Sequence, residues 1–235
     1  MTRVAGADGT PGGWAVVIMD AGQSSVRKVA VLAEVFDAAA DLDIVAVDVP
    51  IGLLDTYETG GRACDRAARK LLARRRGSSV FPAPVRPVLA SQSWDDACVR
   101  SRASGPRGKA ISKQTFGILP KIAEIDGLLQ RRPQLRDVVR EVHPEVCFAE
   151  LVGHPMAHRK ASFQGREERR RALSVCFPDL RVIEKAGREQ GLPIADILDA
   201  AVACWSARRL AAGEARSLPS AIPIDSTGLP MAIWV

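Results

Sequence analysis

Residues 43–50 read Asp-Ile-Val-Ala-Val-Asp-Val-Pro. Every position from Ile44 to Val47 is apolar, which is typical of a strand covered on both faces and therefore of a central strand with parallel neighbours. Asp48 interrupts the run, and packing gives no reason for a carboxylate there, because burial removes its hydration. The stretch predicts a central strand with a functional acid at its end.

The residues before this stretch repeat the pattern, because Val4–Asp8 predicts a short buried strand that also ends in an acid. Gly9–Gly13 follows as a turn built from residues that permit unusual backbone angles. Three successive strands and then an alternation of helix and strand predict a mixed sheet of the α/β class. The other elements predicted on this side are strands Trp14–Met19 and Val26–Ala33, the short helix Glu34–Ala40 and strand Asp43–Val49.

Residues 50–109 depart from this alternation, with a basic helix, the proline-rich stretch 81–87 and the loop 101–109. We interpret the chain as a single domain, 1–235, with an insertion at about 50–110 that carries binding residues. After the insertion, isoleucines and leucines recur every three or four residues and predict the helix Ser112–Gln130. The remaining predictions are strand Arg136–Val142, a polar basic segment His158–Arg171, a short strand Arg181–Ile183, helix Pro193–Ala212 and an edge strand Met231–Val235.

The composition is that of a soluble globular protein, with 47% hydrophobic and 26% charged residues among 235. No signal peptide is recognisable, and no apolar run approaches the roughly 18 residues that a membrane span needs. The five cysteines are scattered without a C-x-x-C pair, which argues against a disulfide framework and a structural zinc site. We expect a cytoplasmic protein without membrane contact.

Positive charge is concentrated in one segment of a chain whose net charge is +6. Residues 62–76 contain seven basic side chains and a single acid, Asp65. A solvated helix face is the ordinary explanation, but a cationic face also supplies salt-sensitive contacts to phosphate. Residues opening the next helix can likewise approach phosphate through its N-terminus. The candidates for nucleic-acid contact are Arg62, Arg66, Arg69, Lys70, Arg74, Lys113 and Gln114.

Acids recur at places where a structural role explains them poorly. Carboxylates that converge at the ends of buried strands repel one another and lose hydration unless a cation lies between them. Asp196 and Asp199 are three residues apart, so a helix presents them on the same face. If the acids converge, they form a metal-dependent phosphoryl-transfer site. The candidates are Asp8, Asp48, Glu141, Glu145, Asp196 and Asp199, with His143 beside them.

Each acid also has an ordinary alternative. Asp8 precedes a glycine, as in many turns. Asp196 and Glu145 suit the first turn of a helix, where the helix dipole favours negative charge. The sequence does not decide between Glu141 and Glu145 as the ligand.

The order of these features resembles the DUF429 family, generally described as predicted RNase H-like nucleases. The late helix is also similar to the final motif of Holliday-junction resolvases, in which acids three apart precede an alanine. The residues that carry the resemblance span nearly the whole chain: Gly6-Ala7-Asp8-Gly9 with Gly12-Gly13-Trp14, Asp48-Val49-Pro50-Ile51-Gly52-Leu53, Gly77-Ser78-Ser79-Val80-Phe81-Pro82-Ala83-Pro84, Ser112-Lys113-Gln114, Glu141-Val142-His143-Pro144-Glu145 and Asp196-Ile197-Leu198-Asp199-Ala200.

The resemblance implies an RNase H-like mixed sheet with flanking helices and an inserted basic helical segment. It also implies a nuclease that uses Mg²⁺ or Mn²⁺ to hydrolyse phosphodiester bonds in DNA or RNA. Asp8 would bridge two ions, with Asp48 and Glu141 or Glu145 on one side and Asp199 on the other. Asp196 would be an outer ligand, and His143 would assist a water molecule or orient a carboxylate.

Two other functions remain open. Asp8-Gly9-Thr10 is similar to the first phosphate motif of the actin-like and sugar-kinase-like phosphotransferases, although the spacing is one residue short. A non-catalytic nucleic-acid-binding module is the other alternative. The sequence leaves the choice of DNA or RNA, the mode of cleavage and the oligomeric state undetermined.

Overall fold

A computed structural model of the chain describes residues 2–38 and 41–235. Its main sheet has five strands in the order β3-β2-β1-β4-β5. Strands β1, β2 and β3 pair with one another in antiparallel fashion, whereas β4 is parallel to both β1 and β5. The fold is therefore α/β with a mixed sheet, and residues 44–47 occupy the central parallel position predicted for them. The strands are β1 (Arg3–Thr10), β2 (Gly13–Asp20), β3 (Gln23–Val29), β4 (Ile44–Val47) and β5 (Val139–Glu141).

Helices account for most of the remaining chain. The helix predicted at Glu34–Ala40 begins at Ala33, and residues 39–40 lie outside the described residues. The helices of the described residues are α1 (Ala33–Ala38), α2 (Ala63–Arg76), α3 (Trp94–Ala103), α4 (Lys113–Arg131), α5 (Pro144–Val152), α6 (Phe163–Ser174), α7 (Leu180–Glu189) and α8 (Ile194–Ala211). None of them combines the length and the apolar character that crossing a membrane requires.

Both faces of the sheet are covered by helices, which explains the unbroken apolar run of β4. Ala46 packs in a core cluster with residues of α5, α6, α7 and α8. Val45 and Val47 point to the opposite face and pack with Ile122 and Ile125 of α4. Because successive side chains of a strand alternate between faces, a strand covered on both sides needs apolar residues throughout.

Helix α8 lies unusually close to β1 at Gly6. A Cβ atom on Gly6 would be 2.0 Å from the backbone nitrogen of Cys204 and 2.3 Å from the carbonyl oxygen of Ala200. Only glycine permits such an approach of helix and strand backbones. This contact fixes α8, and the acids it carries, against the middle of the sheet.

The segment predicted to be an insertion packs onto other elements of the chain. Cys64, Ala68 and Leu72 of α2 share a small core with residues of α5 and of the C-terminal tail. Within α2 the backbone leaves the helical conformation at Ala73 (φ 50°, ψ −154°), so the chain changes direction before Arg74–Arg76.

Several predicted elements need correction. Arg181–Ile183, predicted as a strand, lies in α7, where the buried residues Leu180, Ile183, Glu184 and Gly187 follow a helical period. A short apolar run does not distinguish the two conformations. The tail forms β7 (Ile233–Trp234), which pairs with β6 (Ser217–Leu218) in a separate two-stranded sheet instead of extending the main one. The polar segment His158–Arg171 is largely helix α6, and α3 lies where the sequence analysis predicts no helix, whereas α5 agrees with the helix considered for Glu145.

Candidate metal centre

Two acids lie at the same edge of the sheet because β1 and β4 are parallel neighbours. Asp8 lies near the end of β1, and Asp48 directly follows β4, where its backbone N–H donates to the carbonyl oxygen of Ala7 at 3.0 Å. The two strands run in the same direction, so their carboxyl ends bring the two side chains together. Asp8 is only 6% exposed, and Asp48 is half-buried.

Helix α8 supplies two more acids to this edge. Asp196 lies in its first turn and Asp199 follows one turn later, where it is 1% exposed. All four aspartates line one cleft of about 440 Å³. Glu141, His143 and Glu145 line the same cleft. All the acids that the sequence analysis proposed for the site therefore line one cleft. They form two groups, aspartates and glutamates, that differ in the charged residues around them.

In the aspartate group, burial and the neighbouring carboxylates raise the pKa of Asp8 and of Asp48. Burial raises the pKa of Asp8 well above its ordinary value, and the charges of Asp48 and Asp199 raise it further. Burial also raises the pKa of Asp48, with Asp199 adding to the effect and His143 opposing it. Buried carboxylates that raise one another's pKa in this way form a site that favours a cation.

One protein cation lies inside the aspartate group. The ammonium nitrogen of Lys160 is 2.6 Å from Oδ2 of Asp199, and its side chain remains 49% exposed. Burial lowers the pKa of Lys160, but Asp199, Asp8 and Asp48 raise it above its ordinary value. Lys160 was missed by sequence reasoning, because nothing in the basic segment 158–171 separates it from its surface neighbours.

Glu141 belongs to a different arrangement, in which an arginine is its cation. Nη1 and Nη2 of Arg62 lie 2.8 and 2.6 Å from the two carboxylate oxygens of Glu141. Nη2 is also 2.7 Å from Asp65. Burial lowers the pKa of Arg62, but Asp65 and Glu141 raise it well above its ordinary value. Within residues 2–38 and 41–235, three potential metal ligands have their ligand atoms within 4.8 Å of one another: Cys64, Asp65 and Glu141. The guanidinium of Arg62 already serves as the cation of this group.

The predicted contact between Arg62 and nucleic acid is therefore wrong. Arg62 is 1% exposed, and its Nη1 also donates to the carbonyl oxygens of Ile51 and Gly52. It caps the start of α2 instead of lying on the outer face, and the insertion folds over it. The helical period that joined it to the exposed basic residues does not extend back to this position.

Glu145 is also paired with arginine. It lies in the first turn of α5, as the ordinary alternative for this residue predicted, and forms an ion pair with the buried Arg169. Its other oxygen is 3.7 Å from Nε of Arg76. Glu141 and Glu145 thus both have guanidinium partners, and the geometry singles out neither as a ligand beside Asp8.

His143 occupies the position before α5, with Nε2 3.3 Å from the carbonyl oxygen of Ser79. Its Nδ1 is buried without a hydrogen-bond partner among the described residues. The ring lines the cleft and lowers the pKa of Asp48. This position suits the predicted role of orienting a carboxylate or a water molecule.

Two basic residues of α2 interact with other groups of the protein. Arg66 pairs with Glu58 at 3.0 Å, and Arg69 donates to the carbonyl oxygen of Val80 at 2.8 Å. Beyond them, Lys70, Arg74 and Arg75 are exposed. We call these three residues the basic patch.

The first two residues of α4, Lys113 and Gln114, also differ in their surroundings. Gln114 lines the cleft, whereas the ammonium of Lys113 lies over the ring of Trp94, 5.5 Å from its centre. Of these two predicted contacts with phosphate, Gln114 is at the cleft and Lys113 is turned toward an aromatic ring.

The sequence model of one family, described as proteins of unknown function, matches residues 6–223. The chain belongs to the DUF429 family. All four aspartates of the cleft, together with Lys160 and the basic patch, lie within the part of this DUF429 chain that matches. Searches of curated proteins and of solved structures found no match.

Proposed function

We propose that this DUF429 protein is a divalent-metal-dependent nuclease that hydrolyses phosphodiester bonds in DNA or RNA. The observation that carries the proposal is the convergence of Asp8, Asp48 and Asp199 at one edge of the sheet, with one lysine as their cation. The positions of the acids, at the ends of β1 and β4 and on α8, also support an RNase H-like assignment for the fold.

The donor set suits Mg²⁺ or Mn²⁺. Both are hard cations that take oxygen ligands, and Mg²⁺ keeps several waters, so a loose set of carboxylates fits them better than a histidine cage. Asp8, Asp48 and Asp199 would hold the metal, with Asp196 as an outer ligand. When bound, such ions lower the pKa of an attacking water and stabilise the leaving oxygen.

The chain's own residues supply the remaining steps. His143 lines the cleft with Asp48, and Gln114 and Lys121 line the cleft where a phosphate would enter. The basic patch adds salt-sensitive affinity for a polyanion without reading its sequence. Nucleic acid is accordingly the partner that we propose.

The test compares Asp48→Asn and Asp199→Asn with the wild type on labelled DNA and RNA in Mn²⁺ and in Mg²⁺. Each variant should lose cleavage by at least about 100-fold, because removing a charge-stabilising group commonly costs that much. Asp137→Asn is the control, since that side chain is 99% exposed and does not line the cleft. Circular dichroism checks that each variant folds.

Two outcomes would contradict the proposal. Unchanged cleavage in both variants would show that Asp48 and Asp199 take no part in the reaction. Salt-sensitive binding by the wild type, with no cleavage in either metal, would favour a non-catalytic binding module instead.

A further inference from the structure

The proposed metal ligands lie at the floor of a recess. Asp8 and Asp199 are almost completely buried, and the cleft above them has a volume of about 440 Å³. That volume falls within the about 300–1,000 Å³ of small-molecule pockets. A phosphate must descend into the cleft to reach the aspartates, so a broad, flat contact with a rigid duplex does not bring it there.

The walls of the cleft come from separate parts of the chain. Val80 and Phe81 belong to the insertion, Ile118 and Lys121 to α4, and Ile233 to the C-terminal tail. A duplex is stiff over about 150 base pairs and does not bend into such a space without help.

The wall that contains Val80 and Phe81 belongs to a segment that is fixed to the main sheet, unlike a mobile lid. Arg62 joins it to Glu141, at the end of β5, through two short charged hydrogen bonds. Moving the wall away would separate a buried ion pair, which is strongly unfavourable. The Arg62–Glu141 ion pair therefore holds this side of the cleft in place.

The cleft offers complementary surfaces for one nucleotide. Its floor is acidic, and Nη2 of Arg76 is buried at its side without a described hydrogen-bond partner. Phe81 and Ile118 provide an apolar wall. Phosphate suits the metal-binding floor and the arginine, and a base suits an aromatic side chain, because every base has a stacking face.

We propose that the cleft accepts a nucleotide that is not base-paired, so that the substrate is single-stranded or an unpaired segment of nucleic acid. This inference rests on the proposed nuclease function and names its substrate class. A nucleotide in a duplex can enter only after leaving its stack, which costs free energy.

The test uses one labelled oligonucleotide in three forms with Mn²⁺: single-stranded, in a blunt duplex, and in a duplex with a single-stranded overhang. Cleavage of the single strand should be about 100-fold faster than that of the blunt duplex, the factor that corresponds to disrupting two stacking steps. In the third form, cuts should fall in the overhang. Equal rates on single strand and blunt duplex would overturn the inference.

Phe81→Ala tests the base contact separately. It should raise KM for the single strand by about tenfold, the lower range of the effect of removing an aromatic ring that stacks on a base. Phe163→Ala is the matched control, since Phe163 is 67% exposed and lies outside the cleft. An unchanged KM in Phe81→Ala would overturn the assigned base contact.

The two proposals fail in different ways. If the nuclease proposal is wrong, none of the three substrates is cleaved, or Asp48→Asn cleaves as well as the wild type. If only the substrate class is wrong, cleavage depends on Asp48 but the duplex is cut as fast as the single strand.

Discussion

Lys160 is the residue whose charge most directly opposes the proposed metal binding. Burial raises the pKa of Asp8, Asp48 and Asp196, and the ammonium of Lys160, which contacts Asp199, partly opposes that rise. Replacing it by methionine should raise Mn²⁺ affinity by about tenfold, because a unit charge a few ångströms away contributes about 1 kcal/mol or more. Isothermal titration calorimetry measures the change.

The neighbouring Arg159 provides the control for Lys160. It lines the same cleft and is exposed, but none of the ion pairs of the described residues involves it. Arg159→Met should change Mn²⁺ affinity much less than Lys160→Met. An unchanged or weaker affinity in Lys160→Met would show that the ammonium does not compete with the metal.

Asp8 gives the metal-free protein a dependence on pH. Its pKa is raised from 3.8 by burial and by neighbouring carboxylates, so the folded protein binds this proton more tightly than the unfolded chain. The stabilisation that protonated Asp8 contributes is fully present below pH 3.8, the pKa of the unfolded chain. It is lost as the pH rises through the pKa of Asp8 in the folded protein. Thermal unfolding without metal should therefore show falling stability from pH 5 to pH 8, with a smaller fall in Asp8→Asn.

Asp225 does not mask this trend, and Glu141, whose pKa burial raises to about 7, adds a fall of the same sign in both proteins. The hydrogen bonds of Asp225 from Leu229 and Leu53 outweigh its burial and lower its pKa. The stabilisation that ionised Asp225 contributes is present above the pKa that this residue has in the unfolded chain. It is lost only when the pH falls through the lower pKa of the folded protein. A wild type and an Asp8→Asn variant with identical slopes between pH 5 and pH 8 would contradict the prediction.

At the scale of elements, Gly6 sets the separation between β1 and α8. A methyl group there would overlap the backbone of α8, so Gly6→Ala should lower the free energy of unfolding by about 3 kcal/mol or more. Gly9→Ala is matched to it, because its Cβ would meet only Lys121, at 3.6 Å. Urea unfolding of both variants provides the comparison, and similar losses would contradict the close contact.

The elements with a clear period could be predicted from the sequence. Strand β4 was found because both of its faces are apolar, and α4 because its isoleucines recur every three or four residues. The strand prediction for α7 rests on only two apolar residues, Val182 and Ile183. Its longer pattern, from Leu180 to Gly187, carried the helical signal.

The candidate site was predictable only in part. Acids at the ends of parallel strands converge by geometry, so Asp8 and Asp48 could be paired from the sequence. The partners of Glu141 and Glu145 could not, because Arg62 and Arg169 reach them through folding of the insertion and of α6. Contacts between distant segments leave no local pattern.

At the scale of the whole molecule, charge is divided between an acidic cleft and the basic patch at the end of α2. A triple variant with glutamine at positions 70, 74 and 75 should bind single-stranded DNA more weakly. The slope of log affinity against log salt should fall by about 2, at about 0.7 for each phosphate that the patch no longer neutralises. Arg188→Gln on α7, an exposed cation that does not line the cleft, is the control. An unaltered slope in the triple variant would exclude the patch from binding.

The contact between β1 and α8 also has a consequence for synthesis on the ribosome. The thiol of Cys204 donates to the carbonyl oxygen of Val4, 200 residues earlier in the chain. Strand β1 is synthesised before α8, and that face of the strand has no cover until α8 has been translated. Such distant pairing slows folding and leaves apolar surface exposed to chaperones in the meantime. The nascent polypeptide therefore gains its proposed catalytic centre only after α8 has been translated.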